Sequence, residues 1–457
     1  MRTLLPLPFL VLVYALSAAD APSAVENRPA DGYRGIWYAI GQKPPKYGGG
    51  LGTYPANMVP MACYDAAANT TWFVYGGTSA AGNRDLQIMI GAWRHVDGMV
   101  ERPTTIRDSG GFEDAHANPA MCLGGDGHLY VVSATRHTFE GRIYRSLRPH
   151  DHSAFEIVHR GYMAYPQMWY HERTGYVLLH TRYVGGQRHL YSMRSADGRS
   201  WDASKGYAAF NGHYQNSAQL ADGRIITVFN HHPGGVDRRT NIYAMATADG
   251  GRSWQDLRGG KLEVPLSAAG NPALILDAAA RNELVYIMDL AIDGDGTPVV
   301  LYLTARSIQI GPAGGPRTWW TLQLDPKGWV ERTITTSTHN YDCGTLCIVG
   351  RSWTVIGPTA TGPQGQHTGG EMAFWTSADQ GRNWRSQQVT ANSPRNHTYA
   401  RRPVPSHPGF AAFWADGDAT APSASDLYVA DAKGTVYRLP RAMTAARQAP
   451  EVLQRRR

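Results

Sequence analysis

Side chains that can exchange protons or bind anions recur at one kind of place in this chain, immediately before or after short apolar segments. They are His116, Asn118, His137, Tyr165, Gln167, Arg182, Tyr183, Tyr214, His231 and Arg239. Histidine and tyrosine can serve as general acid or base, and the planar fork of arginine can bind a carboxylate through two hydrogen bonds. One such residue alone is more often structural. Their recurrence favours a single polar face, because buried polar groups need partners or a wet cavity.

The apolar segments between these residues have the character of β-strands. Segments such as Thr71–Tyr75, Leu129–Ser133 and Ile225–Phe229 are short, β-branched and aromatic, and turns such as Asp126-Gly127 and Asp222-Gly223 bound many of them. No segment has the pattern of an amphipathic helix of three or more turns. Charged residues make up 18% of the chain, below the roughly 25% usual for globular domains. The sequence therefore predicts an all-β protein.

A repeated motif specifies the kind of all-β fold. Ser377–Trp384 fits the Asp-box pattern S-x-D-x-G-x-x-W, Thr247–Trp254 fits it with Thr first, and Ser195–Trp201 fits it with one residue deleted. The Asp carboxylate ties down a turn, the Gly permits positive φ, and the Trp packs between sheets. Three matches predict a β-propeller and say nothing about catalysis. Counting strand clusters predicts seven blades, with Gly35–Ala39 pairing into the last blade to close the ring.

The ends of the chain differ in composition from this repeated part. Arg2, the apolar stretch Leu4–Leu16 and the small residues after it form the pattern of a secretory signal peptide over residues 1–21. The apolar stretch is shorter than the ~20 residues of a membrane span. We therefore expect a secreted or periplasmic protein, with one propeller domain over residues 22–440. Residues 441–457 form a C-terminal tail, of which Gln448–Arg457 is charged and should be frayed.

The net charge of +7 restricts the partners. The basic runs are short and lie in strand-like segments, unlike the longer basic stripes of nucleic-acid-binding proteins. An anionic polysaccharide partner would explain the excess of positive charge, and ordinary solubility would explain it as well.

Cysteine and acidic residues give little sign of disulfides or metals. If Cys343 and Cys347 lie on one strand, their sulfurs are roughly 13 Å apart and cannot bond. We expect buried free thiols at these positions and at Cys63 and Cys122. The sequence Asp293-Gly-Asp295-Gly resembles part of a calcium loop but is interpreted as a turn. No cofactor or catalytic metal is expected, and a structural calcium or other divalent ion is left open.

The layout resembles the BNR-type seven-bladed polysaccharide lyases, notably the ulvan lyases. The resemblance is carried by Gly49–Tyr54, by Phe73–Gly77, by the His116 and His137 pair, and by Tyr165-Pro166-Gln167 with Arg182. It implies a monomeric lyase that cleaves a uronate-containing polysaccharide by β-elimination, with no nucleic-acid or membrane partner. Both ulvan and a polymer with rhamnosyl-glucuronate linkages fit as substrate.

The resemblance also implies roles for individual residues. His116 and Tyr165 would form the acid/base pair, and Arg182 would neutralise the uronate carboxylate. His137 would support His116 or act in place of Tyr165. The remaining substrate-binding residues implied are Asn118, Gln167, Tyr183, Tyr214, His231 and Arg239.

Two other functions fit the same fold. A sialidase-like glycoside hydrolase shares Asp-boxes and would use Glu371 and Asp342 as its carboxylates, although no Arg-Ile-Pro motif occurs. A non-catalytic glycan-binding propeller would use the 13 Trp as stacking platforms, and its histidines would be structural. Formation of an unsaturated uronate product separates the lyase from both.

Overall fold

The computed structural model describes residues 26–36, 38–40, 47–49, 55–80, 83, 85–325 and 328–454. The predicted signal peptide and most of Gly49–Tyr54 lie outside these residues. Regular structure in the described ranges is β-strand apart from four short 3-10 helices: η1 (Pro55–Asn57), η2 (Ala115–Ala117), η3 (Ala279–Arg281) and η4 (Pro312–Gly314). None of the helices found there is long and apolar enough to cross a membrane. The all-β prediction is confirmed.

Seven sheets of four or more strands follow one another along the chain, and a separate hairpin precedes them. The hairpin is β2 (Tyr38–Ile40) with β3 (Tyr47–Gly49). The first sheet contains β1 (Arg28–Pro29), β4 (Ala62–Asp65), β5 (Thr70–Gly77), β6 (Gln87–Arg94), β7 (Val100–Glu101) and β8 (Thr104–Asp108). The second contains β9 (Pro119–Leu123), β10 (Leu129–Ser133), β11 (Gly141–Ser146) and β12 (Phe155–Gly161). The third contains β13 (Ala164–His171), β14 (Gly175–Val184), β15 (Gln187–Ser195) and β16 (Lys205–Ala208).

The later sheets are built in the same way. The fourth contains β17 (Gln215–Gln219), β18 (Ile225–His231), β19 (Thr240–Thr247), β20 (Trp254–Gln255), β21 (Lys261–Leu262) and β22 (Leu274–Leu276). The fifth contains β23 (Leu284–Ile292), β24 (Pro298–Ala305), β25 (Arg317–Asp325) and β26 (Gly328–Ser337). The sixth contains β27 (Thr345–Val349), β28 (Ser352–Ala360), β29 (Glu371–Ser377) and β30 (Arg385–Gln388). The last contains β31 (Asn396–Arg401), β32 (Ala412–Gly417), β33 (Leu427–Ala430), β34 (Val436–Arg438) and β36 (Glu451–Gln454), and β35 (Arg447–Gln448) joins the first sheet.

The sheets are arranged as a β-propeller. The inner strands are β4, β9, β13, β17, β23, β27 and β31, and each contacts the inner strand of the next sheet. Each sheet runs outward by antiparallel pairing. All inner strands therefore begin at one face of the molecule, which we call the start face. The loops that follow the second strands return to the same face.

The two ends of the chain both reach the first sheet. Val404 N donates to Ala62 O (2.8 Å), so the loop after β31 lies against β4. The expected pairing of Gly35–Ala39 with the last sheet is not confirmed, since Gly35 forms a single bridge with Gly77 in the first sheet. The prediction of a frayed tail is wrong, because β35 pairs with β7 and β36 pairs with β34. These pairings provide hydrogen-bond partners for backbone N–H and C=O groups that would otherwise be unpaired at the edges of the sheets.

A short segment occupies the axis of the propeller. We call Pro55–Asn57 the axial segment; it contacts β13, β17, β23 and β31. Asn216 Nδ2 donates to Ala56 O (2.6 Å), and Gln167 Nε2 donates to Asn57 O (3.2 Å). Gln167 is fully buried in this arrangement. It holds the axial segment in place, and the structure does not bring it to a substrate pocket.

The three segments that fit the Asp-box pattern form the same hydrogen-bonded turn. Asp249 Oδ1 accepts hydrogen bonds from Arg252 N and Ser253 N, both at 2.9 Å, and its second oxygen accepts from Ser253 Oγ at 2.6 Å. The carboxylates of Asp197 and Asp379 accept from the equivalent backbone amides. The tryptophans differ in burial: Trp254 is buried and stacks on Tyr207 with ring centroids 4.4 Å apart, whereas the other two are partly buried.

Removing one of these carboxylates should destabilise the fold without touching any candidate site. We expect Asp249→Ala to lower the free energy of unfolding by about 1–2 kcal/mol, because several turn amides lose their acceptor. The control is Asp202→Ala, a mostly exposed residue whose ion pair with Arg194 spans 3.7 Å, and it should cost less than about 0.5 kcal/mol. Chemical denaturation measures both variants. Equal stabilities would show that the turn adds little.

The structure confirms the predicted free thiols and the predicted turn at Asp293, although Cys347 is only partly buried. All four cysteines are free, and burial raises the pKa of Cys122, Cys343 and Cys347 to about 12. Asp293 forms a turn, since its Oδ1 accepts from Asp295 N (3.0 Å) and Thr297 N (2.9 Å). No group of three or more His, Cys, Asp or Glu in the described part of the chain is arranged to hold a metal ion.

Candidate active site

A cavity of about 240 Å³ opens on the start face between the second and third sheets. Its lining residues come from η2, from the loop after β10, from the junction of β12 with β13, and from the end of β14. They are His116, Thr135, Arg136, His137, Tyr162, Ala164, Tyr165 and Tyr183. Three of the four residues assigned catalytic roles from the sequence therefore converge here, and Arg182 does not.

Asp114 positions His116 through hydrogen bonds to both its backbone amide and its imidazole ring. It is the N-cap of η2, and its Oδ1 accepts from His116 N (3.0 Å) and from His116 Nδ1. An Asp two residues before the histidine can reach both groups because the chain turns at this point. With Nδ1 bonded to the carboxylate, Nε2 is the ring nitrogen that can take a proton from a bound molecule.

Asp114 also binds two further cationic or polar groups. Arg136 Nε donates to Asp114 Oδ2 (2.7 Å), and His137 Nε2 lies 3.7 Å from the same oxygen. Burial alone would raise the pKa of Asp114, but the hydrogen bonds from His116 and Arg136 outweigh it and hold the pKa below its usual value. Burial lowers the pKa of His116, and Asp114 opposes this shift without reversing it. The imidazole is therefore neutral at neutral pH and able to act as a base.

Tyr165 enters the cavity because β13 is irregular at this point. The register of β13 against β14 shifts between Ala164 and Gln167, and Tyr165 has a φ of 49°. A positive φ is unfavourable for a tyrosine and is found mainly where function requires it. The ring stands edge-on to His116 at a centroid distance of 6.5 Å, and edge-on to Tyr214 at 5.3 Å.

Arg182 does not line the cavity, whereas the next residue, Tyr183, does, because neighbouring residues on a strand face opposite sides. Arg182 Nη2 donates to Ser204 Oγ (3.2 Å), and its guanidinium lies 5.2 Å from the centre of the Tyr191 ring. The next residue, Tyr183, lines the cavity and pairs across the hairpin with Arg188. The structure does not place Arg182 in the cavity lining, and Arg188 lies on the same side of the hairpin as Tyr183.

Arg188 is held firmly beside the cavity. Its guanidinium lies 4.6 Å from the centre of the Tyr214 ring and 6.0 Å from that of Tyr183. Its Nη2 donates to His232 Nδ1 (2.6 Å), and His232 Nε2 is 2.8 Å from Asn230 Oδ1. Burial lowers the pKa of His232 well below its usual value, so the ring is neutral and can accept from Arg188. Arg188 Nε is buried and has no hydrogen-bond partner among the described residues.

The other residues predicted to bind substrate lie at different depths. Tyr214 is buried next to Arg188. The Arg239 guanidinium lies 4.5 Å from the centre of the Tyr214 ring and 4.6 Å from that of the Tyr286 ring. Asn118 is fully buried. His231 is partly buried, with its ring 5.6 Å from that of Phe210. None of these four lines the cavity, although Tyr214 contacts Tyr165, which does.

The sequence interpretation missed Asp114, Arg136, Tyr162 and Arg188 as residues of this site. Asp114 could have been found from its place two residues before His116, which is typical of a capping residue. Arg188 could have been found from the Gly185-Gly186 turn, because a two-residue hairpin loop pairs Val184 with Gln187 and hence Tyr183 with Arg188.

The carboxylates required by a hydrolase are used elsewhere in the structure. Glu371 accepts from Thr390 Oγ1 (2.5 Å), Ser393 N (2.8 Å) and Ser393 Oγ (2.8 Å). Asp342 accepts from His339 N (2.9 Å) and Gly369 N (2.8 Å), and burial raises its pKa to about 7. Neither lines the cavity that holds His116.

The fold and this site define a β-propeller with a cavity at its start face that is lined by histidine, arginine and tyrosine. Comparison with known proteins shows the family. The model of the BNR repeat-containing family matches residues 70–337, more than half of the chain, and the chain belongs to this family. No curated protein matches the chain in sequence.

Three solved structures share the fold at low sequence identity. A structure described as a new family of polysaccharide lyase, an ulvan lyase, has a TM-score of 0.68 at 15% identity and covers 88% of this chain and 94% of that chain. An ulvan lyase bound to -[GlcA(1-4)Rha3S]- has a TM-score of 0.66 at 13% identity, with coverages of 88% and 96%. The polysaccharide lyase Uly1 has a TM-score of 0.60 at 11% identity, with coverages of 88% and 97%. At these identities the similarity establishes the fold.

Proposed function

We propose that this protein is an exported polysaccharide lyase that cleaves a uronate-containing glycan by β-elimination. The proposal includes a ring of seven blades, one for each large sheet, and export directed by residues 1–21. The observation that carries it is the single cavity that holds His116 and Tyr165, with Arg188 beside it. The similarity of fold to polysaccharide lyases supports it. The substrate would be ulvan or a polymer with rhamnosyl-glucuronate linkages.

The first chemical requirement is a neutralised carboxylate. The C5 proton of a uronate is very weakly acidic while the adjacent carboxylate keeps its full charge. A guanidinium can bind that carboxylate through two hydrogen bonds. Arg188 has a suitable position, because it pairs across the hairpin with Tyr183, which lines the cavity, and its guanidinium lies 6.0 Å from the centre of the Tyr183 ring.

The second requirement is a base and an acid. His116 Nε2 takes the C5 proton, the C5 electron pair forms the C4–C5 double bond, and the C4–O4 bond breaks. The Tyr165 hydroxyl gives its proton to the departing O4, and Tyr165 recovers a proton from solvent before the next cycle. His137, whose side chain is 65% exposed at the cavity edge, would exchange protons between His116 and solvent or replace Tyr165.

A screen of uronate polysaccharides tests this proposal directly. The panel contains ulvan, a rhamnosyl-glucuronate gum, pectin and alginate, and the measurement is the appearance of an ultraviolet-absorbing unsaturated uronate. We expect at least one polymer to give this product. New reducing ends without ultraviolet absorbance would indicate hydrolysis and contradict the proposal. Binding without cleavage would support a glycan-binding propeller.

The contacts of Asp114 lead to a prediction about pH. We expect Asp114→Asn to lower kcat by at least about 10-fold, because the amide no longer fixes the Nδ1–H form of His116. Asp114 raises the pKa of His116, so its loss should lower that pKa further. Since His116 acts as a base only when neutral, the acidic limb of the pH–rate profile should move to lower pH.

The control for this prediction is Asp126→Asn. Asp126 lies in a turn of the same sheet, where it accepts from His128 N (3.1 Å) and pairs with Arg145 (2.9 Å), and it is absent from the cavity lining. This variant should keep the wild-type pH profile. If Asp114→Asn also keeps it, Asp114 has only a structural role.

A further inference from the structure

We propose that Tyr162 and Tyr183 form a stacking subsite for the pyranose ring next to the bound uronate. This inference rests on the proposed lyase function and adds a second binding position to the same site. Tyr162 was absent from the residues that the sequence pointed to.

The exposure of these side chains is unusual for this protein. Tyr162 is 39% exposed and Tyr183 is 36% exposed. Among the phenylalanine, tyrosine and tryptophan residues whose side chains the structure describes, only Tyr162 and Tyr183 are exposed. Both line the cavity that holds His116. Exposed aromatic surface is costly in water and marks binding sites when it is concentrated at one place.

The charges around the two rings define what would bind them. Three arginines lie near: Arg136 in the cavity lining, Arg188 beside Tyr183, and Arg182 close enough to affect Tyr162. Burial raises the pKa of Tyr162, so it is neutral and acts as a ring surface. Asp114 is committed to His116 and Arg136. The rings therefore suit the apolar C–H face of a sugar, while the arginines attract the acidic residues of the polymer.

The hairpin that carries Tyr183 is suited to hold a fixed platform. Gly185 and Gly186 have φ values of 56° and 77°, so they form a tight two-residue turn that most residues would strain. Val184 and Gln187 pair directly across the turn, and Tyr183 pairs with Arg188 behind them. One short hairpin thus presents both the aromatic surface and the arginine assigned to the carboxylate. Their adjacency would place the neighbouring sugar ring beside the uronate.

Binding measurements on an inactive background test the subsite. In His116→Ala protein, isothermal calorimetry compares glucuronate with tetrasaccharides prepared from ulvan and from a rhamnosyl-glucuronate gum. We expect Tyr162→Ala and Tyr183→Ala each to weaken binding of the preferred tetrasaccharide by about 10-fold, as expected for losing one stacked ring. Glucuronate binding should change by less than about twofold, since it does not reach the platform. The Phe variants should keep tetrasaccharide affinity.

The outcomes separate the subsite from the lyase assignment. Tyr64→Ala serves as the control, because Tyr64 packs against His95 and His407 away from the cavity and should bind both probes normally. If both Tyr→Ala variants bind the tetrasaccharide like the parent, the subsite is wrong while the lyase can stand. If the parent binds no probe and the wild-type enzyme makes no unsaturated product, the proposed function fails and the subsite fails with it.

Discussion

His116→Ala is expected to lower kcat by about 10²–10⁴-fold, the usual cost of losing a general acid or base. Among the described residues that line the cavity, His116 is the histidine that a carboxylate orients at hydrogen-bond distance, through the bond between His116 Nδ1 and Asp114. Alanine removes the ring and leaves the carboxylate in place. The measurement is steady-state formation of unsaturated product, and substrate binding should change much less than kcat.

Two comparisons make that result interpretable. His159→Ala removes a partly buried histidine on β12, whose ring is 6.1 Å from Trp201 and which does not line the cavity, so it should keep near-normal activity. A melting curve for each variant excludes misfolding as the cause of lost turnover. A well-folded His116→Ala enzyme with full activity would rule out the mechanism proposed above.

Arg188→Lys should lower kcat/KM by about 10- to 100-fold, whereas Arg182→Lys should change it by less than about threefold. Lysine keeps the positive charge but cannot reproduce the planar fork that binds a carboxylate with two hydrogen bonds. Arg188 lies on the cavity side of the hairpin with Tyr183, and Arg182 lies on the other side with Ser204. The two substitutions are chemically identical and six residues apart.

Each of these two variants serves as the control for the other. Both remove one guanidinium from the same hairpin and leave the net charge unchanged. The reverse ranking, with Arg182→Lys the more damaging, would restore the role first inferred from sequence. Equal and small effects would show that neither arginine meets the carboxylate.

The fold could be predicted because its signals are local. The Asp-box turns depend on hydrogen bonds between residues at most four positions apart, such as those of Asp249 with Ser253. The sequence motif therefore contains all the residues that form the turn. The apolar strands between turns likewise follow from local composition. The pairing of β35 with β7 could not be predicted in this way, because it joins the end of the chain to the first sheet.

The site was partly predictable for the same reason. His116 and Tyr165 lie at the beginning of inner strands, where a propeller brings side chains to one face, and they do meet in one cavity. Arg182 does not line the cavity although its neighbour Tyr183 does, because side chains alternate along a strand with a period of two. An error of one residue along β14 therefore moves a side chain to the opposite surface of the sheet.

The axial segment comes early in the chain, but its contacts are with strands that are synthesised much later. Ala56 and Asn57 precede the first inner strand. Their carbonyls accept hydrogen bonds from Asn216 of the fourth sheet and Gln167 of the third sheet, respectively. The segment also contacts β31 of the last sheet. The segment can dock only after these distant strands have formed. Such long-range contacts are established late in folding, because the intervening chain must first be ordered. We therefore expect docking of this early segment to accompany completion of the ring late in folding.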